Sequence, residues 1–304
     1  MSTDEASPRE INDAAPDVVT AASERHPMPP SSPALRDLPI GVFDSGVGGL
    51  TVAAALRRRL PRERLVYLGD IARLPYGSKS PETVLRYALQ AGAHLAGRGI
   101  KMLVVACNTA SAHALGALTR AHAPLPVLGV VEAGATAAAE ASSSGGIVVI
   151  ATEGTCRSGA FPRAIAARRP DARVSQTPCP LFVAFAEEGM IQGPIAEALV
   201  RHYLGDALTP ASGNDTLLLG CTHFPLLVPA LRAVLGDSPR LVNCGEAVAA
   251  EAAATLAAMD LEAPADFRGG ISLVTTDAPA RFARLAARLL PELGDHADAE
   301  LIDL

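Results

Sequence analysis

From Pro39 onward, short apolar runs alternate with longer stretches of mixed polarity. IGVF (40–43), LVYLG (65–69), MLVVA (102–106) and VLGVV (127–131) are rich in Val, Ile and Leu and are closed by polar or glycine positions. Runs of this length that are apolar on both faces predict strands buried in a parallel sheet. LTVAAALRRRL (50–60) predicts a helix, and a second begins at Ser80-Pro81-Glu82. There Ser80 supplies the cap and Pro81 the first helical position. SSSGG (142–146) interrupts the pattern, which then resumes with IVVIA (147–151), a strand near 173–176, TLLLG (216–220), LVN (241–243) and ISLV (271–274). Helices are expected near 194–207, 246–259 and 279–290. Alternation of this kind predicts an α/β fold with mostly parallel sheets covered on both faces.

Two segments of the pattern are built alike. MLVVACNTASAH surrounds Cys107 and TLLLGCTHFPLL surrounds Cys221. Each places a cysteine at the end of a buried strand, with Thr109 or Thr222 where the cap of the next helix belongs. Strand ends are where open α/β sheets bind ligands, and a helix N-terminus there lowers the pKa of a thiol. A lone cysteine after an apolar strand is usually an inert core residue. Polar neighbours (Asn108 and Thr109; Thr222 and His223) and the repetition of the context point instead to a pair of acid/base groups facing one substrate. His223, with an ordinary pKa near neutrality, is placed to share or deliver a proton beside Cys221.

A third loop, Asp44-Ser45-Gly46-Val47-Gly48-Gly49, follows the first strand. Its glycines permit positive φ and would leave N–H groups open to an anion. The order is neither G-x-G-x-x-G nor a G-K-[ST] phosphate loop, so a nucleotide is not indicated. Asp44 fits two roles, an N-cap or a carboxylate paired with a thiol or an ammonium group. Tyr76 and Gly77, in the loop after the second strand, either line a pocket or simply make a turn.

Composition narrows the class. The formal net charge is −6 with no basic run, which argues against nucleic acid as a main partner. No apolar run is long enough to span a bilayer. Five cysteines without a C-x-x-C pair suit reduced thiols in the cytoplasm. Cys107, Cys221 and His223 match no common zinc spacing, so no metal is expected. Residues 1–37, rich in Pro, Ser, Ala and acidic residues, read as a disordered tail.

Six segments resemble the motifs of the glutamate racemases, within the aspartate/glutamate racemase family, in the same order. They are FDSGVGGLTV, YLGDIARLPYGSKSPET, VVACNTASA, VVEAGA, EGTCRSGAF and LLGCTHFPLL. The resemblance implies an isomerase that interconverts L- and D-glutamate without a cofactor and supplies D-glutamate for peptidoglycan. It implies two similar α/β domains with the active site in the cleft between them. Domain one would span 38–131 and 242–304, and the inserted domain 132–241. Cys107 and Cys221 match the catalytic pair. Asp44, Ser45, Tyr76, Gly77, Asn108, Thr109, Thr222 and His223 match substrate-binding positions, and Thr152 matches a further contact. Asp44 is expected to assist Cys107, and His223 to assist Cys221. The partner is the small molecule glutamate, and a homodimer is compatible with this reading. Two alternatives stay open: a racemase of a related amino acid such as aspartate, or a cysteine-dependent hydrolase or lyase using Cys221 and His223.

Overall fold

A computed structural model describes residues 33–205, 207–294 and 297–304. The strands are β1 (Ile40–Asp44), β2 (Arg64–Gly69), β3 (Met102–Val105), β4 (Val127–Gly129), β5 (Gly146–Ala151), β6 (Arg173–Pro178), β7 (Thr216–Gly220), β8 (Arg240–Asn243), β9 (Gly270–Thr275) and β10 (Ala299–Leu301). They form two sheets, ordered β10-β9-β2-β1-β3-β4 and β6-β5-β7-β8. Every pairing is parallel, as both-face-apolar strands require. No described helix is long and apolar enough to cross a membrane.

The chain passes between the sheets twice, each time as a helix: Val130–Ala141 after β4, and Cys244–Ala258 after β8. Both are alanine-rich, which lets them pack closely. A Cβ on Gly134 would sit 2.5 Å from the sulfur of Cys244. One core cluster therefore runs through both sheets, joining Ile40 and Val42 to Val149 and Leu218 through these helices.

Two sequence expectations change here. VLGVV is not one strand, because β4 stops at Gly129 and a helix begins at Val130. A side chain at Gly129 would strike the hydroxyl of Ser111, which instead accepts the N–H of Val131 at 3.3 Å and starts the helix. The end of the expected tail also belongs to the fold. Pro33–Arg36 form one helical turn, Leu35 packs on the core, and the carbonyl of Arg36 accepts from Lys101 Nζ at 2.7 Å. The rest of the expected tail, residues 1–32, lies outside the described residues.

The SSSGG segment is tied to the second sheet by Asp215. Its carboxylate accepts from Ser142 Oγ at 2.6 Å, from the N–H groups of Ser143 and Ser144 at 2.7 Å each, and from Thr216 Oγ1 at 2.9 Å. Burial raises this group's pKa, but those four donors outweigh it and hold the carboxyl well below the usual range. A depressed carboxylate stabilises the fold above its unfolded pKa of about 4 and loses that contribution as the pH falls through the folded value. Asp215→Ala is expected to cost about 2 kcal/mol at neutral pH and to flatten the acid limb of stability, read by urea denaturation from pH 7 to 3. An unchanged acid limb would refute this account.

Candidate active site

The first sheet delivers Asp44 at the end of β1. Its Oδ2 accepts the N–H groups of Gly46 and Gly49 at 3.0 Å each, while Oδ1 is buried without a hydrogen-bond partner. Burial raises the Asp44 pKa against the lowering pull of His223 and these N–H groups. The loop departs from expectation in its use of glycine. None of Gly46, Gly48 and Gly49 has positive φ. They are needed for close approach: a Cβ on Gly49 would lie 2.4 Å from Asp44 Cβ and 2.7 Å from the Tyr67 hydroxyl. Two of the loop's N–H groups are thus already taken by Asp44 and are not open to an external anion.

Cys107 follows β3. It is itself the cap of the Asn108–Ala121 helix, its sulfur accepting from the N–H of Ala110 at 3.5 Å, so Thr109 lies inside the first turn rather than at the cap. The thiol donates to Ser45 Oγ at 3.4 Å. Contrary to the expected lowering by the helix, the Cys107 pKa is pushed up to about 12, first by burial and then by the negative charge of Asp44. Asn108 is buried, and neither its amide oxygen nor its nitrogen has a hydrogen-bond partner.

Cys221 follows β7. Here too the expected cap is absent. Thr222 and His223 form a turn leading into the 3-10 helix Phe224–Leu227, and the α-helix starts only at Val228. The sulfur of Cys221 lies 3.8 Å from His223 Nδ1, and His223 Nε2 lies 3.2 Å from Glu187 Oε1. Burial pushes the imidazole pKa down, but the hydrogen bonds to Cys221 and Glu187 prevail and raise it to about 10. The imidazole is held between the Cys221 sulfur and the Glu187 carboxylate, an arrangement that favours its charged form.

The Asp44 loop and the helix after it meet the Cys221 turn across the sheets. Thr51 Oγ1 donates to the carbonyl of Thr222 at 2.9 Å, and a Cβ on Gly48 would lie 2.5 Å from both Thr222 Oγ1 and His223 Nδ1. The charge on Cys221 contributes to the raised pKa of Cys107. On the other flank, Thr109 Oγ1 is 3.0 Å from Thr152 Oγ1 and 3.1 Å from Thr155 Oγ1. Gly77 presses on Thr152, where a Cβ would approach to 2.6 Å. Ser45 thus meets the Cys107 sulfur, His223 meets the Cys221 sulfur, and Thr109 joins Thr152 across the two sheets. Tyr76 differs from its neighbours: its ring is buried against Phe43 and Tyr87, and its hydroxyl donates to Asp70.

Both thiols are closed off, Cys107 at 5% and Cys221 at 7% exposure. Cavities of about 310 and 150 Å³ open beside the site, sharing Leu74 and Glu187 in their walls. Among the described residues no group of three His, Cys, Asp or Glu side chains is arranged to hold a metal.

Sequence reasoning missed Glu187 and Asp70. Glu187 ends the Pro180–Glu187 helix, 36 positions before His223, and no local spacing links them. Asp70 was findable, being the first polar residue after a buried strand, as Asp44 is. Its buried carboxylate accepts from Arg73 Nε, Tyr76 Oη and Thr276 Oγ1, and so sets the loop that carries Gly77.

Fold and site together define an α/β protein with two parallel sheets, each carrying a buried cysteine just past the end of a strand with its own polar partner. The chain belongs to the Asp/Glu/hydantoin racemase family, whose model matches residues 50–253. A glutamate racemase of Geobacter metallireducens is 46% identical over 257 residues, covering 84% of this chain and 94% of its own. The crystal structure of glutamate racemase from Thermus thermophilus in complex with β-chloro-D-alanine is 41% identical, with a TM-score of 0.78 over 88% of this chain and 98% of that one. That of Francisella tularensis, in complex with D-glutamate, is 32% identical, with a TM-score of 0.80 over the same shares.

Proposed function

We propose that this chain is a glutamate racemase that moves a proton between the two faces of the substrate Cα with Cys107 and Cys221, and that it thereby supplies D-glutamate for peptidoglycan. The observation that carries this reading is the pair of matched turns in which a cysteine follows a buried parallel strand and meets a polar partner, Cys107 with Ser45 and Cys221 with His223. Burial and the negative charge of Asp44 push the Cys107 thiol up, while the sulfur of Cys221 lies 3.8 Å from the ring of His223, which Glu187 holds from its other side. One base and one acid, presented together, are what inversion at a carbon acid needs.

In the forward step, the Cys221 thiolate takes the Cα proton from one face and the Cys107 thiol delivers its proton to the other. Cys107 is then the thiolate and Cys221 the thiol, ready for the opposite enantiomer. His223 stabilises the charge on Cys221, and Glu187 keeps the imidazole oriented. The buried, unpartnered Asp44 Oδ1 suits the substrate ammonium, and the free amide of Asn108 with Thr222 suits a carboxylate. Thr109 and Thr152, already within hydrogen-bond distance of each other, suit the second carboxylate. Carbanion stabilisation falls to preorganised dipoles in a cleft closed to water, without a cofactor. The two sheets act as the two domains that close on the substrate.

The test is a chiral assay in deuterated water with EDTA and no pyridoxal phosphate. L-glutamate should give D-glutamate with deuterium at Cα, and L-aspartate should give little product. Racemisation of aspartate in preference to glutamate would move the assignment to the sister activity. A covalent adduct on Cys221 with no exchange at Cα would replace it with hydrolase or lyase chemistry.

A further inference from the structure

One carbonyl in the Cys221 turn is served from outside the turn. Past β7 the chain bends in steps of three residues. The carbonyl of Cys221 accepts the N–H of Phe224 at 3.1 Å, and that of His223 accepts the N–H of Leu226 at 3.1 Å. The same step for Thr222 falls on Pro225, which has no N–H to give. Thr222 is buried, and a buried carbonyl without a donor is costly. The donor comes from the first sheet's side. Thr51, in the first turn of the helix Leu50–Arg59 that follows β1, brings its Oγ1 to 2.9 Å from the Thr222 carbonyl across 171 positions of chain. The same hydroxyl lies 2.9 Å from the carbonyl of Gly48, but that carbonyl already accepts the backbone N–H of Thr51 at 3.0 Å. The single hydroxyl proton is therefore needed at Thr222 and redundant at Gly48.

The peptide that Thr51 holds joins Thr222 to His223, so its setting decides where the imidazole stands. Two further contacts complete the hold. Glu187 Oε1 meets Nε2 at 3.2 Å, and the backbone of Gly48 backs the ring so closely that a Cβ there would lie 2.5 Å from Nδ1 and 2.6 Å from Cε1. Nδ1 in turn lies 3.8 Å from the sulfur of Cys221.

We infer that Thr51 is a positioning residue for the Cys221–His223 pair: its hydroxyl, offered from the first sheet, fixes the peptide that aims the imidazole at the sulfur of the second. Cys107 is held differently, by Ser45 and by the N–H of Ala110, and neither contact involves Thr51. The kinetic consequence rests on the racemase reading, but the consequence for the His223 ring does not.

Thr51→Val keeps the shape of the side chain and removes the hydroxyl, whereas Thr51→Ser keeps the hydroxyl and removes the methyl. Per folded molecule, counted by circular dichroism melting, kcat/KM for glutamate is expected to fall about 10–100-fold in Thr51→Val, the scale of an ångström-sized misplacement, and to stay within about three-fold of native in Thr51→Ser. In the double variant Thr51→Val, Pro225→Ala, the new N–H at 225 should return part of the loss. The loss should also fall on one sulfur. Deuterium exchange at Cα by a chain that keeps only Cys221 (Cys107→Ser) should drop when Thr51→Val is added, while exchange by a chain that keeps only Cys107 (Cys221→Ser) should hold. The ¹⁵N signals of the His223 imidazole, assigned with His223→Asn, should move in Thr51→Val and return in Thr51→Ser. Native kcat/KM in Thr51→Val, an equal loss in Thr51→Ser, or an equal loss of exchange in both single-cysteine chains would overturn the assignment. Absence of racemisation by the native chain, with imidazole signals that still respond to Thr51→Val, would refute the enzymatic reading and leave the positioning role standing.

Discussion

Cys107→Ser and Cys221→Ser are each expected to lower kcat/KM for racemisation by about 10²–10⁴-fold, the range lost with one acid/base group. A serine hydroxyl has nearly the volume of the thiol, so the fold should persist. Its proton is far less acidic, and it can neither rest as an anion opposite His223 nor yield a proton readily at the Cys107 position. The fall must be equal for L- and D-glutamate, because enantiomers have equal free energy in water and kcat/KM must balance at equilibrium. Only kcat and KM taken separately can respond differently in the two directions. A sharper distinction lies in isotope exchange without inversion. A chain that keeps only Cys221 should remove the Cα proton of one enantiomer and return a deuteron to the same face. A chain that keeps only Cys107 should do so for the other enantiomer. Full racemisation by either variant, or identical enantiomer preference in both, would end the two-thiol account.

Lys101→Met is expected to lower the unfolding free energy by about 3–5 kcal/mol, through a quite different mechanism. Lys101 and Glu63 are almost fully buried and meet at 2.6 Å. Lys101 Nζ also donates to the carbonyls of Arg36 at 2.7 Å and Leu261 at 2.8 Å, and Glu63 Oε1 accepts from the N–H of Ala263 at 2.7 Å. Burial pulls the lysine pKa down, and the pairing with Glu63 opposes that. Methionine would fill the space but leave a buried carboxylate without its cation and two carbonyls without a donor. Adding Glu63→Gln should recover part of the loss, because an amide carries no charge to strand. The midpoint of urea denaturation at unchanged slope reads both effects. Lys101 lies at the start of β3, the end remote from Cys107, so kcat per folded molecule should hold. A loss below 1 kcal/mol would show the pair to be replaceable by packing alone.

Much of this fold is legible in order of residues. Strands β1, β2, β3, β5 and β7 are short runs apolar on both faces, a pattern that buried parallel strands require and that few other structures tolerate. Asp44, Cys107 and Cys221 are visible because each is at or beside the first polar position after such a run. Element ends were less legible. VLGVV suits strand and helix equally, and the collision awaiting a side chain at Gly129 is a tertiary fact. The capping threonines were misplaced for a related reason. Whether Cys107 or Thr109 starts a helix depends on a sulfur reaching the N–H of Ala110, which residue type alone does not reveal.

By itself, the chain's pattern of apolar runs determined the α/β class, the parallel strands and the two matched cysteine loops, because these depend on which side chains can be buried from water at each step along the backbone. Only the tertiary structure decided that Glu187 meets His223, that Lys101 meets Glu63, that Tyr76 is spent on Asp70, and that burial and Asp44 push the Cys107 thiol up rather than down. Those outcomes depend on distances between segments tens of residues apart and on how completely water is excluded around each charge, and neither quantity is a property of any local stretch of sequence.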